Sequence, residues 1–318
     1  MQQKFLKDLN EKEKFEGYLM VKSAEQRLTK EEKTYVDMNL ADKSGEINAK
    51  NWDTNASAPN VGEIIKIKGT IIDYRGRSQL KVESMSSISR EELKNLDLSS
   101  LIKCAPYDPQ GMLDKIRKVA NSIKSNDLKA ICNAMLDEFE DELLFYPAAK
   151  EMHHAEKSGL LHHIYSMLHV ASSLNEVYPW INWDLVNAGI IMHDLAKITE
   201  MESDCNGLVK DYTKDGNLVG HLVRGVVKIQ QVADRLNISG ETVELLQHMI
   251  ISHHGIAEYG SPRPPMFPEA LILHFIDDLD AKLYQFKSEL ELTESGSFTG
   301  YVRSLDRRLY KPIYDELK

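Results

Sequence analysis

All eleven histidines of this 318-residue chain lie between His153 and His274. Several are paired or sit beside an acid: His153-His154, His162-His163, His193-Asp194 and His253-His254. His169, His221, His248 and His274 fall between or after them, and Asp277, Asp278 and Asp280 follow. Imidazole and carboxylate together suit Mn²⁺, Fe²⁺, Zn²⁺ or Mg²⁺. No single one of these residues is diagnostic, since a lone histidine on an apolar helix is usually a hydrogen-bonded core residue. The ordered series His, His-Asp, His, His-His, Asp, with each member on a different expected helix, is far more specific. His193-Asp194 is its centre. Burying a charge without a partner is costly, and residues 185–198 read as one buried helix with Val186, Ile190, Ile191, Leu195 and Ile198 on its apolar face.

The elements that must carry these groups are helical. A 3.6-residue period runs through 110–149 (Met112, Ile116, Val119, Ile123, Leu128, Ile131, Met135, Leu136, Phe139) and predicts two or three helices. Further helices are expected over 159–174, 217–236, 241–254 with Gly255 as a C-cap, and 269–290. Residues 301–318 are charged and aromatic and fit no expected element.

The N-terminal part has a different period. Tyr18-Leu19-Met20-Val21, residues 34–40, Gly45-Glu46-Ile47-Asn48-Ala49, residues 64–72 and Gln79-Leu80-Lys81-Val82 alternate as strands, separated by turn signals such as Arg75-Gly76-Arg77. Five short strands in about 75 residues suit a small barrel of the OB type. The expected architecture is therefore multidomain, α and β: an N-terminal five-stranded OB-like β-barrel over 1–90, a linker over 91–110 and an all-α domain over 111–318. Tyr35, Trp52 and Tyr74 lie beside Lys33, Arg75 and Arg77, as stacked bases and tracked phosphates would require. Each aromatic taken alone reads better as core.

Composition bounds the partners. The net charge is −10, but residues 1–90 carry 16 basic and 14 acidic side chains against 23 and 35 in the remainder. A polyanion is better received by the first part, unless cations invert the sign of the second. No run approaches the roughly 18 apolar residues of a membrane span. Three distant cysteines (Cys104, Cys132, Cys205) match no zinc or redox spacing, so a reducing cytoplasm and no membrane partner are expected.

The histidine series resembles the HD superfamily of metal-dependent phosphohydrolases. Gly159-Leu160-Leu161-His162-His163 is similar to the first-histidine motif, with His162 where glutamate is usual. His193-Asp194-Leu195-Ala196-Lys197 matches the doublet and its downstream lysine. The run from Leu273 through Asp277 to Lys282 resembles the closing motif, and His221 and His253-His254 match the extra ligands of two-metal members. Tyr146-Pro147-Ala148-Ala149, His153-His154-Ala155 and Gly260-Ser261-Pro262, behind an OB-type barrel, narrow the resemblance to YhaM-type 3′-to-5′ exoribonucleases.

The resemblance implies two divalent cations, with Mn²⁺ suggested and Mg²⁺, Fe²⁺, Co²⁺ or Zn²⁺ compatible. One would be held by His163, His193, Asp194 and Asp277, the other by Asp194, His221, His253 and His254. Asp194 would bridge them, and Lys197 would stabilise phosphoryl charge. Single-stranded RNA, and single-stranded DNA as a second substrate, would contact Tyr35, Trp52, Tyr74, Arg75 and Arg77, with His154 and Arg224 as further candidate contacts. Asp278 and Asp280 would fall outside the ligand set, His274 behind it, and His169 and His248 in structural roles. Two alternatives stand beside this reading: a phosphohydrolase of small nucleotides or cyclic dinucleotides, and a non-catalytic single-strand-binding protein. The segment after residue 290 is a candidate assembly surface for a homo-oligomer.

Overall fold

The structure, a computed structural model, describes residues 3–29, 31–74, 78–89, 92, 96, 100–150, 154–204, 207 and 209–314. Arg75, Arg77, His153, Cys205, much of 90–99 and residues 315–318 lie outside the described residues. The chain divides into two compact units, Met1–Cys104 and Ala105–Lys318.

The first unit is a closed barrel of five strands: β1 (Lys14–Leu28), β2 (Thr34–Asp42), β3 (Gly45–Asn51), β4 (Ile64–Asp73) and β5 (Ser78–Ser87). Their order is β1-β2-β3-β5-β4, closed by β1 against β4, with β3 and β5 parallel and the other pairs antiparallel. This is the expected OB-type barrel. Alternation fills it: Leu19, Val36, Met38, Leu40, Ala49, Ile65, Ile67, Ile71 and Leu80 point inward and are fully buried. On β3, Ile47, Ala49 and Asn51 face in, which turns Asn48 and Lys50 out.

The second unit is built on helices: α1 (Pro109–Ser122), α2 (Asn126–Glu138), α3 (Glu140–Leu143), α4 (Gly159–Asn175), α5 (Trp183–Met192), α6 (Lys197–Glu200), α7 (Lys214–Leu218), α8 (Gly220–Leu236), α9 (Glu241–Ser252) and α10 (Pro268–Glu291). Side-chain caps start several of them. Asp108 accepts from the Gly111 amide at 2.7 Å, with Pro109 opening α1. Helix α5 is apolar but for Asp184 and Asn187, and Leu185, Val186, Ala188, Gly189, Ile190, Ile191 and Met192 are all buried in the core formed with α4, α9 and α10. Two small antiparallel sheets are appended, β6 (Met201–Ser203) with β7 (Val209–Tyr212) and β8 (Phe298–Val302) with β9 (Arg307–Tyr310). The second of these accounts for most of the unplaced C-terminal stretch. Among the described residues no helix is long and apolar enough to cross a membrane.

One expected element differs. The helix predicted over 185–198 stops at Met192, and residues 193–196 form tight turns before α6. The amide bonds shift from four residues back (His193 to the Gly189 carbonyl) to three (Lys197 to the Asp194 carbonyl). The cause is local: the His193 ring donates from Nδ1 to the Ile190 carbonyl at 2.8 Å, taking an acceptor that the next helical turn would use. Helix α9 ends the same way, one residue before His253, whose Nδ1 donates to the Ile250 carbonyl at 2.7 Å.

Candidate metal centre

Both helix ends present their histidines inward because the chain turns there. Two glycines make the packing possible. A Cβ on Gly159, at the start of α4, would lie 1.9 Å from the His154 carbonyl oxygen. Gly255 has φ +84°, and a Cβ there would lie 2.3 Å from the His274 ring. His274 in turn donates from Nδ1 to the His253 carbonyl at 2.8 Å and braces that turn.

The structure brings six of the seven expected ligands into two groups around the seventh, the buried Asp194. His163 Nε2 lies 3.1 Å from Asp277 Oδ1 and 3.3 Å from His193 Nε2. Asp194 Oδ2 is 3.3 Å from His193 Nε2 and 3.9 Å from His163 Nε2. Its other oxygen, Oδ1, is 3.6 Å from both His221 Nε2 and His253 Nε2. His221, His253 and His254 have donor atoms within 4.8 Å of one another, as do His163, His193 and Asp277.

Every one of the five imidazoles expected as ligands is held from behind through Nδ1. Carbonyls of Ile190, Ile250 and Tyr259 hold His193, His253 and His254. Carboxylates hold the other two: Asp280 takes His163 at 2.7 Å, and Glu200 takes His221 at 3.0 Å. A ring that donates from Nδ1 offers its Nε2 lone pair, which is the form that binds a metal. Asp280 and Glu200 were not assigned from sequence. Asp280 lies one helical turn beyond Asp277, a usable signal; Glu200 is 21 residues from His221 and has none.

Electrostatics separate the rings: His253 is neutral and offers its lone pair, while His163, between Asp277 and Asp280, holds both protons until a cation displaces the one on Nε2. Burial pushes His253 down to about 4 against the pull of Asp194, which keeps the ring neutral. Burial acts the same way on His163, but Asp277 and Asp280 on either side outweigh it and raise that ring to about 10. Burial also disfavours the Asp194 carboxylate, yet Lys197 and His193 hold it well below the usual range.

A divalent cation fits this donor set on a further observation. Among the described residues, Asp194 Oδ1, His221 Nε2 and His253 Nε2 are buried with no hydrogen-bond partner, and all three converge. Each such orphan costs about 1–3 kcal/mol, unless a positive ion takes its lone pair.

Of the other expected site residues, Lys197 joins the centre and the rest fall elsewhere. Lys197 is buried, with Nζ 2.7 Å from Asp194 Oδ2. Arg224 forms a two-pronged pair with Asp215. His154 is buried, its Nε2 donating to Asp280 at 2.8 Å, within a cluster that contains His162, Glu156 and Tyr284. On the barrel, Tyr35 and Trp52 stack at 4.7 Å between centroids, and Trp52 and Tyr74 are half exposed. Lys50, unassigned from sequence, places Nζ 5.3 Å from the Tyr35 centroid, 6.0 Å from Trp52 and 5.8 Å from Tyr74. Thr29, Glu31, Lys33, Thr34, Trp52 and Thr54 line the adjoining groove.

Residues 160–282 match the family model for the HD domain. The chain is 38% identical to the 3′-5′ exoribonuclease YhaM of Bacillus subtilis (strain 168) over 308 residues, 95% of this chain and 96% of that one. It is 38% identical to the protein of the same name from Geobacillus sp. (strain WCH70), over 96% of this chain and 94% of that one. The Listeria monocytogenes serotype 4b (strain CLIP80459) relative, also so named, gives 38% over 98% of this chain and 100% of its own. A solved second OB-fold domain of replication protein A from Methanococcus maripaludis aligns with 27% of this chain and 93% of that domain, at 15% identity and a TM-score of 0.23. With that identity across nearly the whole of each relative, the chain belongs to the YhaM family of HD-domain proteins.

Proposed function

We propose that this protein is a metal-dependent 3′-to-5′ exoribonuclease that shortens single-stranded RNA and releases nucleoside 5′-monophosphates. The reaction class rests on the convergence of Asp194 Oδ1, His221 Nε2 and His253 Nε2 without partners. Polarity and substrate follow the relatives named 3′-5′ exoribonuclease YhaM. Single-stranded DNA suits the barrel face too, because stacking and charge need no 2′-hydroxyl.

We assign two divalent cations, Mn²⁺ first, with Mg²⁺, Fe²⁺, Co²⁺ and Zn²⁺ compatible with the same donors. His163, His193, Asp194 and Asp277 would hold one, and Asp194, His221, His253 and His254 the other. Such cations supply Lewis acidity at a phosphodiester and acidify water. The chain's own groups do the positioning. Asp194 offers one oxygen to each donor group. Asp280, Glu200 and the three carbonyls fix the ring orientations. The Lys197 ammonium, beside Asp194 Oδ2, places positive charge where phosphoryl oxygens need it. Tyr35, Trp52, Tyr74 and Lys50 bind bases and phosphates and supply affinity.

The test is a digestion ladder. With Mn²⁺ and 5′-labelled single-stranded RNA, the protein should shorten the strand stepwise and release mononucleotides. The folded Asp194→Ala variant should release none. Equal activity in that variant discards the assignment, and faster turnover of a small-nucleotide panel than of the oligonucleotide replaces the substrate.

A further inference from the structure

The C-terminal hairpin has two unlike faces. Its inner face packs Val302, Leu305 and Leu309 against Phe286 and Leu290 of α10. Its outer face is aromatic and exposed: Phe298 is 57% exposed, Tyr301 61% and Tyr310 47%. The register pairs Phe298 with Tyr310 and Tyr301 with Arg308 across the strands. The Phe298 and Tyr310 rings lie 5.0 Å apart, and the Arg308 guanidinium sits 5.3 Å from the Phe298 centroid. Between Phe298 and Tyr301 stands Gly300, where a Cβ would meet nothing, so the face is open there.

Charge singles this hairpin out. Residues 298–311 hold Arg303, Arg307, Arg308 and Lys311 against one acid, Asp306, which accepts from the Tyr301 hydroxyl. The rest of the chain beyond residue 90 is strongly acidic, with 19 basic against 34 acidic side chains. Exposed rings on a two-stranded sheet, flanked by guanidinium groups, suit a flexible polyanion that carries its own flat rings.

We infer that the outer face of the β8–β9 hairpin is a second binding surface for single-stranded nucleic acid, on which Phe298 and Tyr310 stack bases while Arg308 and its basic neighbours meet phosphates. This rests on the proposed nuclease function for its ligand class, but binding can be read without hydrolysis.

The experiment measures fluorescence anisotropy of labelled 20-nucleotide oligo(U) with the full chain in EDTA, beside turnover of a dinucleotide in Mn²⁺. Phe298→Ala and Tyr310→Ala should each weaken oligo(U) binding about tenfold. Phe298→Tyr and Tyr310→Phe should restore it, and Arg308→Ala should flatten the salt dependence. Dinucleotide turnover should stay unchanged in all of them. Unaltered oligo(U) affinity in the alanine variants overturns the inference. So does lost affinity accompanied by a changed sedimentation coefficient, which would make this face a contact between copies of the chain. A protein that hydrolyses nothing but loses oligo(U) binding on these substitutions would refute the nuclease reading alone.

Discussion

The metal centre and the barrel face solve opposite problems. Around Asp194, His163, His193 and His253 are buried, His221, His254 and Asp277 are largely enclosed, and each imidazole is fixed by an acceptor behind it. On the barrel, Trp52 and Tyr74 are half in solvent, and Tyr35, Trp52 and Lys50 are held mainly by one another. Chemistry at a phosphodiester needs donor atoms placed to a fraction of an ångström, which burial and bracing provide. Binding of an unspecified strand needs flat, charged and accessible surface, which a rigid pocket would spoil. The two regions should therefore fail differently when altered, the first in turnover and the second in affinity.

The largest effect is expected at the donors themselves. His253→Ala or Asp277→Ala should cut mononucleotide release by roughly 10³ or more while oligonucleotide affinity stays within a few fold. Loss of affinity equal to the loss of rate would erase the distinction between the regions. Next come the bracing carboxylates. Asp280→Asn and Glu200→Gln should weaken Mn²⁺ binding or activity by about 10–100-fold, measured as the Mn²⁺ concentration for half-maximal rate. A flat response would mean that the rings hold their orientation unaided. On the barrel, Trp52→Ala should weaken oligo(U) binding about tenfold and leave dinucleotide turnover alone. A smaller change is expected for Lys50→Ala, which should lower the slope of log affinity against log salt by about 0.7, one phosphate's share.

A pH prediction sharpens the contrast from inside the core. Burial pushes the Cys132 thiol up to about 12 from an ordinary 9.0. The unfolded chain thus loses this proton first as pH rises, so stability falls between about pH 9 and 12 on its account. In a chain whose other two cysteines are serine, a thiol reagent at pH 8.5 should react only on unfolding. Ready reaction in the native state would show a looser core than the packing around Cys132 implies.

Much of this was legible in the residues. The five strands announce themselves by alternation, because one face of each must fill the barrel. The donor residues announce themselves because imidazoles and acids on apolar helices need partners. Positions set by contacts across the fold were not legible. Glu200 braces His221 only because the β6–β7 hairpin and α7 bring the chain back to it. Lys50 is singled out only by its nearness to Tyr35 on β2 and to Tyr74 just past the end of β4. The helix end at Met192 was hidden because its apolar period continues through Leu195 and Ile198, while a side-chain bond from His193 decides the turn.

The most direct test counts cations. Full-length protein stripped with EDTA, reloaded with Mn²⁺ or Co²⁺ and freed of excess should hold two per chain by elemental analysis. His221→Ala should retain one, and Asp194→Ala should hold neither firmly. Two cations retained in Asp194→Ala, or none in the parent protein under any loading, would contradict a centre joined through that carboxylate.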